Sequence, residues 1–294
     1  GCANAAAGNG RCAMDRGEAV VMSVRGLHKQ FGPGCAHCAA ESDTAVRGNY
    51  CPHCGTVYAV RDVGISLHEQ EILGIVGESG SGKSTLMRCL YFDDIPTAGE
   101  YTIASGAYGD GNLFAASRQV QREIRNMVLG MVYQNPVSGL RMRFSSLANI
   151  AEKLIAAGHR RVSTMVTRAE DLLEQVRLPE HRITDPPMTF SGGMQQRVQI
   201  AKALSNNPPI LFLDEVTTGL DLSVQARVLD LIKEIRREFS VSMLLVSHDL
   251  SVVRMLADRT IVMLDGRVVE SGLTDQIMED PQHPYTQELV QSLL

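Results

Sequence analysis

The sequence predicts an α/β fold in which parallel strands lie under helices. An antiparallel β unit precedes it, a helical subdomain interrupts it, and a small cysteine-bearing insertion sits near its start. Three observations predict this. Short apolar runs alternate with helical stretches over the first and last thirds. A glycine-rich stretch, Gly77-Glu78-Ser79-Gly80-Ser81-Gly82-Lys83-Ser84-Thr85, joins one such run to one such helix. Between them, over about residues 113–190, the strand alternation gives way to mainly helical periodicity.

Residues 1–18 are rich in Ala, Gly and Asn and lack the apolar core of a signal peptide, so a disordered leader is expected, with Met14 or Met22 as a possible natural start. The folded domain is expected over 19–294. Residues 19–31 and 59–67 suggest a hairpin carrying residues 33–58 as an insertion. Ile72–Val76 is a short apolar strand, and Leu86–Leu90 opens a helix. Ala98–Ile103 is strand-like, and an Arg-bearing helix is expected over 113–127. Met131–Gln134 is a short strand, after which 147–176 is helical, punctuated by Gly158 and Ser163. The last third alternates again. It offers a helix 195–204, a strand 210–213, a helix 224–239, a strand 243–246 and a hairpin around Asp265-Gly266.

The formal net charge of −5 argues against a general nucleic-acid binder. No apolar run approaches the roughly 20 residues that span a bilayer, so direct membrane insertion is not expected. The stretch from Leu113 to Phe190 is net basic while the remainder is acidic. That asymmetry suits a solvated helical surface, or a docking face for an acidic partner.

The glycine-rich loop lets backbone N–H groups curl around phosphate oxygens. The helix N-terminus behind it adds unpaired donors and partial positive charge. Lys83 can reach the outer phosphates of a nucleoside triphosphate, and Ser84 can ligate Mg²⁺. Asp214 closes an apolar strand, where a carboxylate can hold Mg²⁺, and Glu215 beside it can polarise a water. Ser191-Gly192-Gly193-Met194-Gln195 precedes a helix and offers further donors. Gln134 and His248 follow apolar runs, where polar side chains can reach a nucleotide.

In this order the residues resemble the ABC-type ATPases from residue 19 onward. Gly77–Ser84 is similar to the Walker A loop, Gln134 to the Q-loop glutamine, and Ser191–Gln195 to the signature motif, with Met194 where Gln or Glu is usual. Leu211–Glu215 is similar to Walker B with its catalytic glutamate, Gly219–Asp221 to the D-loop, and His248 to the switch histidine. The resemblance implies a P-loop core of RecA-like type, ATP and Mg²⁺ as ligands, and ATP hydrolysis. It makes Glu215, His248 and Gln134 catalytic, and Ser84, Gln134 and Asp214 the Mg²⁺ ligands. It places Phe31 against adenine and the loop 77–85 around the phosphates. It implies head-to-tail pairing, with itself or with a sister subunit, so that Ser191, Gly192, Gly193 and Gln195 meet the nucleotide of a partner. Val216 departs from the proline that usually follows the glutamate. A proline would bias Glu215 towards extended backbone, so valine loosens that constraint.

A narrower resemblance is to the ATP-binding subunits of bacterial carbon–phosphorus lyase systems. It rests on Gln134–Arg141, Ala148–Ile150, Thr189–Arg197 and Val269–Asp275. It implies a cytoplasmic subunit that works on a lyase core complex in phosphonate degradation. Peptide and nickel importer ATPases share Asp280–Thr286 and are the alternative. They usually continue into a further C-terminal segment where this chain stops, which favours the lyase reading.

Cys35-x-x-Cys38 and Cys51-x-x-Cys54, with 12 residues between the pairs, have the spacing of a four-thiolate metal site. Structural Zn²⁺ is the first expectation and an iron centre the second. His37 and His53 lie inside the knuckles and are expected to be bystanders. Cys2, Cys12 and Cys89 are isolated.

Overall fold

The computed structural model describes residues 19–39, 48–104 and 111–292. The expected leader 1–18, with Met14, Cys2 and Cys12, lies outside the described residues. Two sheets organise these residues. The smaller comprises β1 (Val20–Phe31), β2 (Val57–His68) and β4 (Ala98–Ile103), all antiparallel, in the order β2-β1-β4. β1 alternates as a half-buried strand should, with Met22 and Val24 inward. Gly26, at φ 55°, then sits at a bulge that keeps Leu27 on the same face. The larger sheet has six strands in the order β5-β6-β7-β3-β8-β9, with β3 (Ile72–Val76), β5 (Leu129–Val132), β6 (Ile210–Asp214), β7 (Ser242–Val246), β8 (Arg259–Leu264) and β9 (Arg267–Leu273). All adjacent pairs are parallel except the β8–β9 hairpin.

β3, β5, β6 and β7 are buried at every position. They are covered on both faces, which is why they read as continuous apolar runs rather than alternating ones. One face packs against the small sheet and α2 (Lys83–Leu90), joining Leu73, Ile75 and Phe212 to Met22, Val63, Leu86 and Met87. The other packs against helices of the last two-thirds. Each such side chain contributes about 1.5–3 kcal/mol by leaving water.

The helices are α1 (Ala36–Ala39), α2, α3 (Arg118–Met127), α4 (Pro136–Gly139), α5 (Ser146–Ala156), α6 (Val162–Gln175), α7 (Gly192–Ala203), α8 (Leu222–Phe239), α9 (Leu250–Leu256), α10 (Thr274–Glu279) and α11 (Pro284–Gln291). The stretch expected as one helix over 113–127 divides into a 3-10 turn at Leu113–Ala115 and α3. Ser117 causes the break, because its side chain accepts the Val120 N–H as an N-cap. Residues 113–190 also contribute β5 to the edge of the large sheet. Leu154, Ala169, Leu172 and Leu173 bury the facing sides of α5 and α6.

Candidate nucleotide site

β3 leads straight into the glycine-rich loop, and two glycines there are sterically required. Gly77 has φ 148°, and a Cβ on it would stand 2.2 Å from the Met263 carbonyl oxygen. Gly82, the residue before α2, has φ 103°, and a Cβ on it would stand 2.0 Å from the Ala59 oxygen. The loop is thus wedged between β8 and β2, where no side chain fits. Ser81 is buried, and its carbonyl accepts from Gly266 N at 3.0 Å.

Lys83 is almost fully buried, and its ammonium donates to Gly77 O (2.7 Å) and Glu78 O (2.6 Å). Burial lowers its pKa, against the opposing pull of Glu215, Asp214 and Glu78. Ser84 donates from Oγ to Asp214 Oδ1 at 3.1 Å. Burial at the end of β6 pushes the Asp214 carboxyl up to about 6, in spite of that hydrogen bond. A hydroxyl and a buried carboxylate this close form a donor set suited to a hard divalent cation, whose charge would relieve the desolvated carboxylate.

Glu215 follows with φ 46°, in the left-handed region. Val216 leaves this conformation open, where a proline would bias Glu215 to extended backbone. The Glu215 N–H donates to Val246 O at 2.9 Å, which fixes Glu215 to the end of β7. One carboxylate oxygen, Oε2, then collects Gln134 Nε2 at 2.8 Å, Thr218 Oγ1 at 3.2 Å and His248 Nδ1 at 3.3 Å. Gln134 and His248 each lie two residues beyond a strand end, β5 and β7 respectively, so both sit on loops rather than in the sheet.

These residues line a cavity of about 510 Å³ with Ser79, Gly80, Gly82, Lys83, Ser84, Thr85 and Phe31. Phe31, at the end of β1, is 46% exposed, and the Lys29 ammonium stands over its ring 4.8 Å from the centre. Ser191, Gly192, Gly193 and Gln195 are not among the lining residues. Ser191 is exposed at the start of α7 and makes no side-chain cap hydrogen bond there, while Gln195 pins the preceding turn through Pro187 O and Phe190 O.

Four residues at the site were not singled out by sequence. Asn49 lines the cavity and donates from Nδ2 to Gly80 O at 3.2 Å. Thr218 donates to Glu215. Gln199 on α7 clamps the residue next to Gln134, accepting from Tyr133 N at 2.7 Å and donating to Tyr133 O at 3.0 Å. The Tyr285 hydroxyl on α11 accepts from Glu78 N at 2.8 Å. Asn49, Thr218 and Gln199 are single polar residues with no local pattern around them, and Tyr285 lies in the stretch Asp280–Thr286 without a role that the stretch itself announces.

The family model described as ABC transporter matches residues 60–218, more than half of the chain. The chain belongs to the ABC transporter ATPase family. This ABC ATPase binds and hydrolyses ATP. It is 48% identical over 233 residues to the phosphonates utilization ATP-binding protein PhnK of Escherichia coli (strain K12), covering 79% of this chain and 90% of that one. It is 39% identical over 244 residues to the oligopeptide transport ATP-binding protein OppD of Bacillus subtilis (strain 168), covering 81% and 67%. Among solved structures it is similar to the dimeric ATP-binding cassette MJ0796 in a post-hydrolysis state bound to ADP and Pi, with a TM-score of 0.71, 29% identity, and coverage of 86% and 98%. No helix among the described residues is long and apolar enough to cross a membrane.

The four cysteines stand apart from this chemistry. Their sulfurs all lie within 4.8 Å of one another and form no disulfide. Cys35–Cys38, Cys38–Cys54 and Cys35–Cys51 are separated by 3.6, 3.7 and 3.9 Å. A tetrahedron of thiolates about 2.3 Å from a zinc ion has edges of about 3.8 Å, so the sulfurs fit that ion. A hydrogen bond to Tyr58 leads the effects that lower the Cys38 thiol to about 6, favouring its ligating form. His37 and His53 stack on each other at 4.0 Å, and neither belongs to the group of four converging ligand atoms.

Proposed function

We propose that this ABC ATPase is the ATP-hydrolysing subunit of a carbon–phosphorus lyase system, cycling between open and closed pairs to remodel a phosphonate-degrading core complex. The observation that carries this is the 48% identity to PhnK across 90% of that protein, against 39% to OppD.

The geometry supports the following residue roles. Backbone donors of 77–85 and the Lys83 ammonium hold the phosphates, and Phe31 stacks on the base. Ser84 and Asp214, with the Gln134 amide oxygen, hold Mg²⁺, which when bound neutralises phosphate charge. Glu215 accepts a proton from the attacking water, and Gln134, Thr218 and His248 fix the carboxylate in place. The Ser191 loop does not line its own cavity, and it supplies donors to the nucleotide of a second subunit, as the dimeric cassette MJ0796 suggests. The pair is formed with a second copy or a sister ABC subunit. The four cysteines hold a structural Zn²⁺, and the site of action is the cytoplasm.

Tagged Glu215→Gln protein, loaded with ATP to hold the closed pair, tests the reading in the native host. Recovery of phosphonate-degrading subunits is expected. Recovery of integral membrane permeases instead would overturn the lyase role in favour of peptide import, the reading that the OppD identity supports.

A further inference from the structure

The cysteine insertion is not a remote appendage. Asn49 and Val57, in its second described part, line the nucleotide cavity. Asn49 stands two residues before Cys51, and its backbone oxygen accepts from Tyr58 N at 2.7 Å. Tyr50 pairs with Val57 as a β-bridge, and Cys51 N donates to Thr56 O at 2.9 Å. The turn that carries Asn49 is therefore closed by the second knuckle itself. Thr56, fully buried, ties both knuckles to β1: its hydroxyl accepts from Gly34 N at 3.0 Å and from the Cys54 thiol at 3.2 Å. Gly32, at φ 117°, packs so closely that a Cβ there would stand 2.7 Å from that hydroxyl. From this frame the Asn49 side chain reaches across to Gly80 O, at the tip of the phosphate loop.

Gly80 is the one loop glycine of its run around which nothing lies within 4 Å of a Cβ position, so the steric wedges that fix Gly77 and Gly82 do not fix it. The Asn49 amide is a contact from outside the loop that restrains its tip. That amide is placed by a turn whose two sides are set by Cys51 and Cys54, which a tetrahedral ion would hold to Cys35 and Cys38.

We propose that Asn49 is a positioning residue of the ATP site supplied by the insertion, and that metal held by Cys35, Cys38, Cys51 and Cys54 sets its place, so that metal loading tunes ATP affinity. This rests on the zinc reading given above. The device links a thiolate metal site to a phosphate loop through three residues of backbone, and it gives the insertion a task within the ATPase.

Zinc content and affinity for Mg²⁺–ATP, read by displacement of a fluorescent ATP analogue, test it on the full chain. Five samples suffice: zinc-loaded protein, protein stripped with a zinc-selective chelator, stripped protein given zinc again, zinc-loaded Asn49→Ala, and Asn49→Ala stripped in the same way. Thermal melts on each exclude global unfolding. Stripping is expected to weaken ATP binding about threefold to tenfold, the scale of one hydrogen bond, and added zinc to restore it. Asn49→Ala keeps its zinc and shows the same loss without stripping, with the KM for ATP rising more than kcat falls. Stripping that variant then changes nothing further. Equal affinity with and without zinc, or wild-type affinity in Asn49→Ala, overturns the coupling while leaving the zinc site standing. A chain that neither carries nor takes up zinc overturns both, and the metal content separates the two failures.

Discussion

Gln134 Nε2 donates to Glu215 Oε2 at 2.8 Å, joining the loop after β5 to the loop after β6 across 81 residues of chain. The same oxygen is met by Thr218 and His248. Three groups therefore fix one oxygen of the carboxylate, and the proposed role of base falls to the other, Oε1. Glu215→Gln keeps the shape and removes the base. Its kcat is expected to fall by about 10²–10⁴-fold with ATP binding retained. Single-turnover hydrolysis beside equilibrium nucleotide binding checks this, and unchanged turnover would remove Glu215 from the mechanism.

Asp214 gives a pH signature. Burial holds its carboxyl near 6 in the folded chain, above the ordinary range near 3.9. The folded state thus favours the protonated acid, and that contribution is complete at about pH 4 and lost as pH rises through 6. By linkage the loss is on the order of 3 kcal/mol at neutral pH. Asp214→Asn removes the titration. Without Mg²⁺, the variant is expected to melt higher than the parent at pH 7.5 and close to it near pH 4, while losing Mg²⁺-dependent hydrolysis. A melting difference that does not change with pH would show that the carboxylate is not the source.

The fold was legible because its central strands are buried on both faces. Ile72–Val76, Ile210–Asp214 and Ser242–Val246 carry no polar interruption that could hide them, and each leads directly to a residue of chemical interest. Side-chain convergence was harder to read. Glu215 turns back at φ 46° where its N–H meets β7, a conformation that Val216 permits but no local sequence pattern announces. Asn49, Gln199 and Tyr285 reach the site over 31, 66 and 207 residues, and each is a lone polar side chain. No periodicity marks such a residue, because tertiary packing alone decides where it points. The start of the expected helix at 113–127 moved to Arg118 for a local reason, the Ser117 cap.

Gln199 should matter although it touches no nucleotide-binding group. It is 1% exposed and satisfies both backbone groups of Tyr133, the residue before Gln134. Gln199→Leu leaves the part-buried N–H and C=O of Tyr133 without this partner, at up to about 1–3 kcal/mol for each. A lower melting temperature is expected, with kcat reduced more than KM is raised, because Gln134 loses its anchor while the phosphate loop is untouched. Steady-state kinetics on the folded variant below its melting point tests this. A wild-type kcat would limit Gln199 to packing.

Pairing can be tested without a structure of the dimer. Lys83→Ala disables the phosphate loop of its own chain and leaves its Ser191 loop intact. Ser191→Arg does the reverse, placing a bulky cation where donors should meet the partner's nucleotide. If each site is built from one chain's Lys83 and the other's Ser191, both homodimers are inactive. In a mixed pair the two defects fall on one site and the second site is whole, as two-fold symmetry requires. Mixing the two inactive proteins is therefore expected to restore ATP hydrolysis, rising with the fraction of mixed pairs. Sites completed within a single chain would show no rescue at any ratio. If the natural partner is a sister ABC subunit, rescue requires that subunit, and adding it to Ser191→Arg protein would restore only the site at which the sister's own loop meets Lys83.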